Sequence, residues 1–218
     1  MDVLPPGLIY IPNALDQVYI DELLYHLNIS NEWEAVGEGK NSRKVVQYGY
    51  KYNYTAGGND SRGNLNQQSE AAKPFPEIIK TLRDIMIDHI TEDSGPPTGE
   101  TFNQCIINKY EPGQGIGPHI DSLAYGAVIG CFTIVTGIGD SPGIVELLHP
   151  TNSKTKYPII TMPGSLYVMT GDSRYKWKHQ MVARKTDDRR KRATRISVTF
   201  RSLLSQEEIT RRDQLLKK

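Results

Sequence analysis

Cysteine is scarce in this chain: there are two in 218 residues, Cys105 and Cys131. Both sit in apolar, strand-like sequence, where a free thiol behaves as a small buried hydrophobe, so neither a disulfide framework nor a cysteine metal site is expected. No apolar run approaches the length that spans a bilayer. The first residues (Met1, Asp2, Val3, Leu4, Pro5, Pro6) lack the basic start and apolar stretch of a signal peptide, so the expected location is cytosol or nucleus. There is no internal repeat, which excludes a solenoid or propeller. Net charge is nearly absent as well, at +1, but it is unevenly spread. Residues 174–201 carry eleven Lys and Arg against two Asp, a net +9 that leaves −8 on the rest. Arg189, Arg190, Lys191 and Arg192 stand together in that stretch, which reads as a basic face for a polyanion or as a solvated loop.

What is present fits one substantial core and a single domain over 1–218. Leu15, Val18, Ile20, Leu23, Leu24 and Leu27 put most of their side chains on one helical face, predicting a short amphipathic helix within 13–28. Pro74 and Pro76 open a second helix carrying Ile78, Ile79, Leu82, Ile85, Met86 and Ile90. Ser205 followed by Glu208 has capping-box spacing, which predicts a C-terminal helix at about 205–217. From Asn103 onward the texture changes to short apolar or β-branched runs broken by Gly and Pro: 103–110, 127–135, 143–148, 157–161, 165–170 and 194–202. Such spacing is that of a β-sandwich or barrel, so the fold class is mainly β (α+β) with supporting N-terminal helices. Between the helices, Tyr48, Tyr50, Tyr52 and Tyr54 recur at period 2 and lead into a Gly, Asn and Ser-rich stretch at 56–69.

His119 and Asp121 form an H-x-D pair after Pro112, Gly113, Gly115, Gly117 and Pro118. If residues 119–121 are extended, both side chains project to one side and can reach one ion. His179 follows 58 residues beyond Asp121. A sandwich that gathers these segments would complete two histidines and one carboxylate, the facial set of non-haem Fe(II) oxygenases with three positions left open. An H-x-D pair also arises by chance, so the neighbouring residues decide its weight. His26, His89 and His149 have no such company and are read as structural.

In Arg195-Ile196-Ser197-Val198-Thr199-Phe200-Arg201 the apolar residues alternate with the others, so Ile196, Val198 and Phe200 face a core and both arginines share the opposite face. Two arginines aimed into one space suit a dicarboxylate, because a guanidinium grips a carboxylate with two parallel hydrogen bonds. The bland reading is an amphipathic edge strand. By the same parity Asn108 and Tyr110 share a face and offer an amide and a phenol to carboxylate and keto oxygens.

The ordered set Asn108, Tyr110, Pro112, Gly113, His119, Asp121, His179, Arg195 and Arg201 resembles the AlkB family of Fe(II)/2-oxoglutarate dioxygenases. The likeness runs from about residue 7 to 203. It is strongest in N-K-Y-E-P-G-Q-G-I-G-P-H-I-D, M-T-G-D-S-R-Y-K-W-K-H and R-I-S-V-T-F-R, and looks most like the eukaryotic member that hydroxylates a modified wobble uridine in tRNA. The resemblance implies a double-stranded β-helix (jelly roll) at about 103–203, with Fe(II) held by His119, Asp121 and His179. It also implies 2-oxoglutarate paired through Arg195 and assisted by Asn108 and Tyr110, with Arg201 near the metal-bound end and the target base. A nucleotide-recognition lid falls at about 42–72, its core being Arg43 to Tyr54.

Arg43, Tyr48, Tyr50, Tyr52, Arg189 and Arg190 are the expected nucleic-acid contacts, because rings stack on bases and cations meet phosphates. The partner is RNA or DNA, single-stranded or with a flipped base, and the protein is expected to act as a monomer without membrane association. The reaction implied is dioxygen-dependent oxidation of an alkyl group on a nucleobase, ending in demethylation or stable hydroxylation. Alternatives on the same scaffold are a protein or small-molecule hydroxylase, or a non-catalytic binding module. A zinc hydrolase would leave Arg195 and Arg201 without a purpose.

Overall fold

The eight-residue alternation at the C-terminal end of the core builds the central strand, β13 (Thr194–Arg201), in the computed structural model. The structure describes residues 4–37, 42–52, 70–94, 100–152 and 154–215. In chain order the other strands are β1 (Leu8–Ile11), β2 (Glu34–Ala35), β3 (Lys44–Tyr48), β4 (Gln104–Tyr110), β5 (Ile116–His119), β6 (Ile129–Thr136), β7 (Ile144–Leu148), β8 (Lys156–Ile160), β9 (Leu166–Met169), β10 (Lys178–Met181), β11 (Thr186–Asp187) and β12 (Arg190–Lys191). The helices are α1 (Gln17–Ser30), α2 (Glu77–Ser94), α3 (Gly171–Tyr175) and α4 (Gln206–Leu215).

A seven-stranded sheet runs β1-β9-β6-β13-β4-β3-β2, and a four-stranded sheet runs β5-β10-β7-β8; every pairing within them is antiparallel. Ile196, Val198 and Phe200 of β13 join Phe132 and Ile134 of β6 and Cys105 and Ile107 of β4 on one face of the large sheet. Helices α1 and α2 cover that face with Ile20, Leu23, Leu27, Ile79, Leu82 and Met86. Gly130 is the point of closest approach, where a β-carbon would collide with Met86 Sδ. The opposite face looks toward the small sheet. There Ile129, Tyr167 and Met169 pack with Val145, Leu147, Ile159 and Trp177, closing a β-sandwich.

The expected capping box is formed reciprocally: the Ser205 N–H donates to Glu208 Oε2 (2.7 Å) and the Glu208 N–H to Ser205 Oγ (3.3 Å). Both cysteines are buried free thiols. The three histidines read as structural meet the Tyr48 hydroxyl (His26, 3.0 Å), the Ala14 carbonyl (His89, 3.1 Å) and the Trp177 ring (His149). Val18 departs from the expected helix face and is exposed.

The basic stretch needs one correction. Arg192 is buried at 4% exposure, where Nε and Nη2 donate to the Asp187 carboxylate at 2.7 and 2.8 Å. Arg184 and Ser141 also donate to that carboxylate. Burial opposes the charge, but these four donors win and hold Asp187 down at about 2. The pair straddles a two-residue hairpin turn whose residues, Asp188 and Arg189, both have positive φ (46° and 68°). Arg189, Arg190 and Lys191 remain outside and exposed.

Candidate active site

Strand pairing puts two histidines side by side. His119, the last residue of β5, lies opposite His179 of β10, and the rings stand 4.2 Å apart between centroids. Beyond His119 the chain leaves the sheet, and Asp121 turns back so that Oδ1 lies 3.5 Å from His119 Nε2 and 3.9 Å from His179 Nε2. One ligand atom from each of the three falls within 4.8 Å of the others. The chemistry of the donors agrees. His119 Nδ1 is 2.8 Å from the Gly117 carbonyl, which can only accept, so Nδ1 carries a proton and Nε2 is the ring nitrogen turned to the cluster. Burial, with His119 beside it, pushes His179 down to about 3 and keeps it neutral. Burial pushes Asp121 up, but Arg201 and the two imidazoles hold its carboxyl well below the usual range. Two imidazoles and one carboxylate are the donor set a divalent iron takes.

A residue not singled out by sequence reasoning holds Asp121 in place. Helix α3 opens on a capping box between Thr170 and Ser173 and carries Arg174 inward to 1% exposure. Its guanidinium donates to four backbone carbonyls: Asp121 (2.9 Å), Ser122 (2.8 Å), Tyr125 (3.3 Å) and Gly126 (3.2 Å). The 121–126 loop is thus wrapped around a buried cation. A lone Arg in a five-residue helix carries no spacing signal, and its place in the G-D-S-R-Y run was the available hint. Arg174→Lys should retain charge but lose the fork that reaches four acceptors. We expect a lower melting temperature and a Mn(II) affinity reduced about 10- to 100-fold, the range for residues that orient metal ligands. A folded variant that binds Mn(II) like the wild type would remove Arg174 from this role.

On the sandwich-facing side of β13, Arg195 is buried at 4% exposure. Its Nη2 donates to Thr133 Oγ1 at 3.0 Å, and its Nε finds no acceptor among the described residues. Tyr110 pairs with Arg195 across β4 and β13, and burial raises its phenol so that it remains a neutral donor. Asn108 lies opposite Ser197 on the same face. Arg201 sits at the metal end: Nη1 is 3.4 Å from Asp121 Oδ2, Nε donates to Gln104 (2.8 Å), and the guanidinium lies 4.0 Å over the Tyr125 ring. A buried guanidinium beside neutral groups is costly unless an anion meets it. Arg195 and the His119, Asp121 and His179 cluster thus offer a cation for an anionic group and a set of donors for a metal.

The residues expected in the lid divide. Tyr48 is corrected from a base contact to a core residue, 1% exposed among Val46, Cys105 and Ile107, with its hydroxyl on His26; no base can reach its ring. Arg43 points inward, with Nε donating to Asn108 Oδ1 at 2.9 Å. Tyr50 and Tyr52 are half-buried, and Tyr52 lies 5.7 Å from the Arg201 guanidinium on the metal side. Tyr54 and the whole 56–69 stretch lie outside the described residues. Arg189 and Arg190 are exposed at the hairpin tip, apart from the reaction centre.

Known proteins resemble this chain along most of its length. It is 30% identical over 196 residues to the Macaca fascicularis protein named tRNA (carboxymethyluridine(34)-5-O)-methyltransferase ALKBH8, covering 84% of this chain and 25% of that one. It is 25% identical over 219 residues to the Arabidopsis thaliana protein named Alkylated DNA repair protein ALKBH8 homolog, covering 91% and 58%. The chain therefore spans a quarter to somewhat over half the length of these relatives. Among solved structures, OsALKBH1 superposes with a TM-score of 0.60 at 16% identity, covering 92% of this chain and all of that one. A prolyl hydroxylase from Trichoplax adhaerens gives 0.58 at 17% identity, covering 93% and 85%, so the sandwich is the jelly roll of these enzymes. Residues 7–201 match the model of the 2OG-Fe(II) oxygenase superfamily, and the chain belongs to that family.

Proposed function

We propose that this chain is an Fe(II)- and 2-oxoglutarate-dependent dioxygenase that oxidises an alkyl group on a nucleobase. The observation that carries the reading is the His119, Asp121 and His179 cluster beside Arg195, whose buried Nε lacks an acceptor among the described residues. In this reading His119, Asp121 and His179 would hold the iron. Arg195 takes the distal carboxylate of 2-oxoglutarate with its planar fork, and Tyr110 and Asn108 donate to its oxygens. Arg201 neutralises Asp121 and borders the near end of the co-substrate. When bound, iron with 2-oxoglutarate and dioxygen supplies the oxidation: the keto acid loses carbon dioxide to become succinate, and one oxygen atom enters a substrate C–H bond. The protein supplies orientation and a dry enclosure. The reading assigns this chemistry to one domain over 1–218, acting as a monomer.

The nucleobase half of the proposal rests on the names of the AlkB relatives. A base in a duplex is shielded, so the substrate would be single-stranded or flipped, with Tyr50 and Tyr52 at the mouth to stack on it and Arg189 and Arg190 on the phosphates. No described helix is long and apolar enough to cross a membrane.

Mass spectrometry of methylated and uridine-modified oligonucleotides, treated with Fe(II)-loaded protein, 2-oxoglutarate and air, tests the reaction directly. Loss of a methyl group with formaldehyde release marks N-demethylation, and a gain of one oxygen marks stable hydroxylation. Replacing Arg189, Arg190 and Lys191 together by Gln, and leaving the buried Arg192 intact, should flatten the salt dependence of oligonucleotide binding by up to about 3 in slope. Slow succinate release without substrate should persist. An unchanged slope would make the hairpin tip a solvated turn. Absence of any oligonucleotide binding would turn the reading to a protein or small-molecule hydroxylase.

A further inference from the structure

Arg43 was expected among the nucleic-acid contacts, and the structure turns it toward Asn108. Its backbone is fixed on both sides: the Arg43 carbonyl accepts from the Val36 N–H (3.0 Å), and the Ser42 carbonyl accepts from Gln114 Nε2 (3.1 Å). From there the side chain crosses the start of β3, and Nε–H donates to Asn108 Oδ1 at 2.9 Å. Asn108 is 8% exposed and lies between β3 and β13, opposite Val45 and Ser197.

The chemistry of this hydrogen bond settles the amide. A guanidinium N–H can only donate, so the atom that meets it must be the oxygen, and the Asn108 NH2 is left for the face shared with Tyr110 and Arg195. An anionic co-substrate needs donors on that face. A flipped amide would present an oxygen to it instead. Arg43 also contributes charge: burial raises the Tyr110 phenol, and of the cations opposing that rise Arg43 acts more strongly than Arg195.

We infer that Arg43 is a positioning residue for the co-substrate, locking the Asn108 amide with its NH2 toward the 2-oxoglutarate space. This rests on the proposed co-substrate site. It reassigns Arg43 from the nucleic-acid surface, and it makes the root of the lid part of the co-substrate's surroundings. Tyr50 and Tyr52 therefore follow a strand whose preceding residue, Arg43, is committed to Asn108.

The test is a double-mutant cycle read by calorimetric titration of 2-oxoglutarate into Mn(II)-loaded protein, with Mn(II) affinity and thermal unfolding measured on each variant. Arg43→Met should weaken 2-oxoglutarate roughly tenfold, the loss of about one hydrogen bond to a charged group. It should leave Mn(II) affinity unchanged, because Arg43 contacts none of the three ligands. In the Asn108→Ala background the same substitution should have less than about a twofold effect, since the amide it orients is gone. The inference is overturned if Arg43→Met leaves affinity unchanged in the wild-type background, or costs the same tenfold in both. Asn108→Ala and Arg195→Lys separate this from the site itself. If both weaken 2-oxoglutarate and Arg43→Met does not, only the role of Arg43 falls; if none of the three does, the co-substrate site falls.

Discussion

Asp121→Ala should abolish 2-oxoglutarate turnover and lower Mn(II) or Fe(II) affinity by more than about 100-fold, above the cost of losing a residue that merely orients a ligand. Asp121 is the anionic member of the His119, Asp121 and His179 cluster, and its carboxylate lies 3.4 Å from Arg201 Nη1. Without it, a metal dication would meet no anionic ligand and have the Arg201 cation close by, so the local field changes from attractive to repulsive. The same substitution strips a buried guanidinium of its carboxylate, for which a stability loss of about 3 kcal/mol is typical. Asp121→Asn keeps the shape and separates the two effects: the backbone grip of Arg174 on residue 121 is retained, while the charge is gone. Both variants should lose metal affinity, measured by calorimetry alongside succinate formation. Wild-type metal affinity in Asp121→Asn would place the metal elsewhere.

The second large effect is expected at Arg195. Lysine preserves the charge but offers a compact ammonium in place of a planar fork, and it cannot hold Thr133 and a carboxylate in the same geometry. Hydrogen bonds to charged groups contribute about 1.5–3 kcal/mol, so Arg195→Lys should raise the Kd for 2-oxoglutarate roughly 10- to 100-fold. Mn(II) affinity should stay near wild type, because the closest metal-end guanidinium is Arg201. An unchanged Kd for 2-oxoglutarate would mean that the distal carboxylate is anchored by another group.

The period-2 argument worked where strands run straight and failed where one breaks. Across β13 and β4 it grouped Arg195, Arg201, Asn108 and Tyr110 on one face because those strands are uninterrupted and paired residue for residue. Applied to Tyr48, Tyr50, Tyr52 and Tyr54 it assumed the same continuity. The strand stops at Tyr48, and Gly49 follows with φ of +79°, in a place where a β-carbon would collide with the Asn103 carbonyl. That turn resets the alternation, leaving Tyr48 in the core and bringing Tyr52 toward Arg201. A glycine inside a strand pattern was the warning sign. The H-x-D pair was legible as a pair, but its geometry is not that of one extended strand: His119 ends β5, and Asp121 is positioned by Arg174 from 53 residues away. Arg192 looked like one more cation in a basic run. Its partner Asp187 lies five residues earlier, and only the hairpin turn at Asp188 and Arg189 brings them together.

The direct opposition of His119 and His179 has a mechanical consequence. Strand β5 is the edge of the small sheet, four residues long and containing Gly117 and Pro118, and β10 is its single neighbour. Few ladder bonds fasten it, yet an ion gripped by one imidazole from each strand would act as a rivet between them. Slippage of β10 by one place would swap His179 for Lys178 or Gln180 and undo the rivet, so a bound metal would favour the register seen here. At a free metal concentration 100 times the Kd this rivet would add about 2.7 kcal/mol to the folded state. Much of the tightness of this edge would therefore be set by the metal supply around the protein.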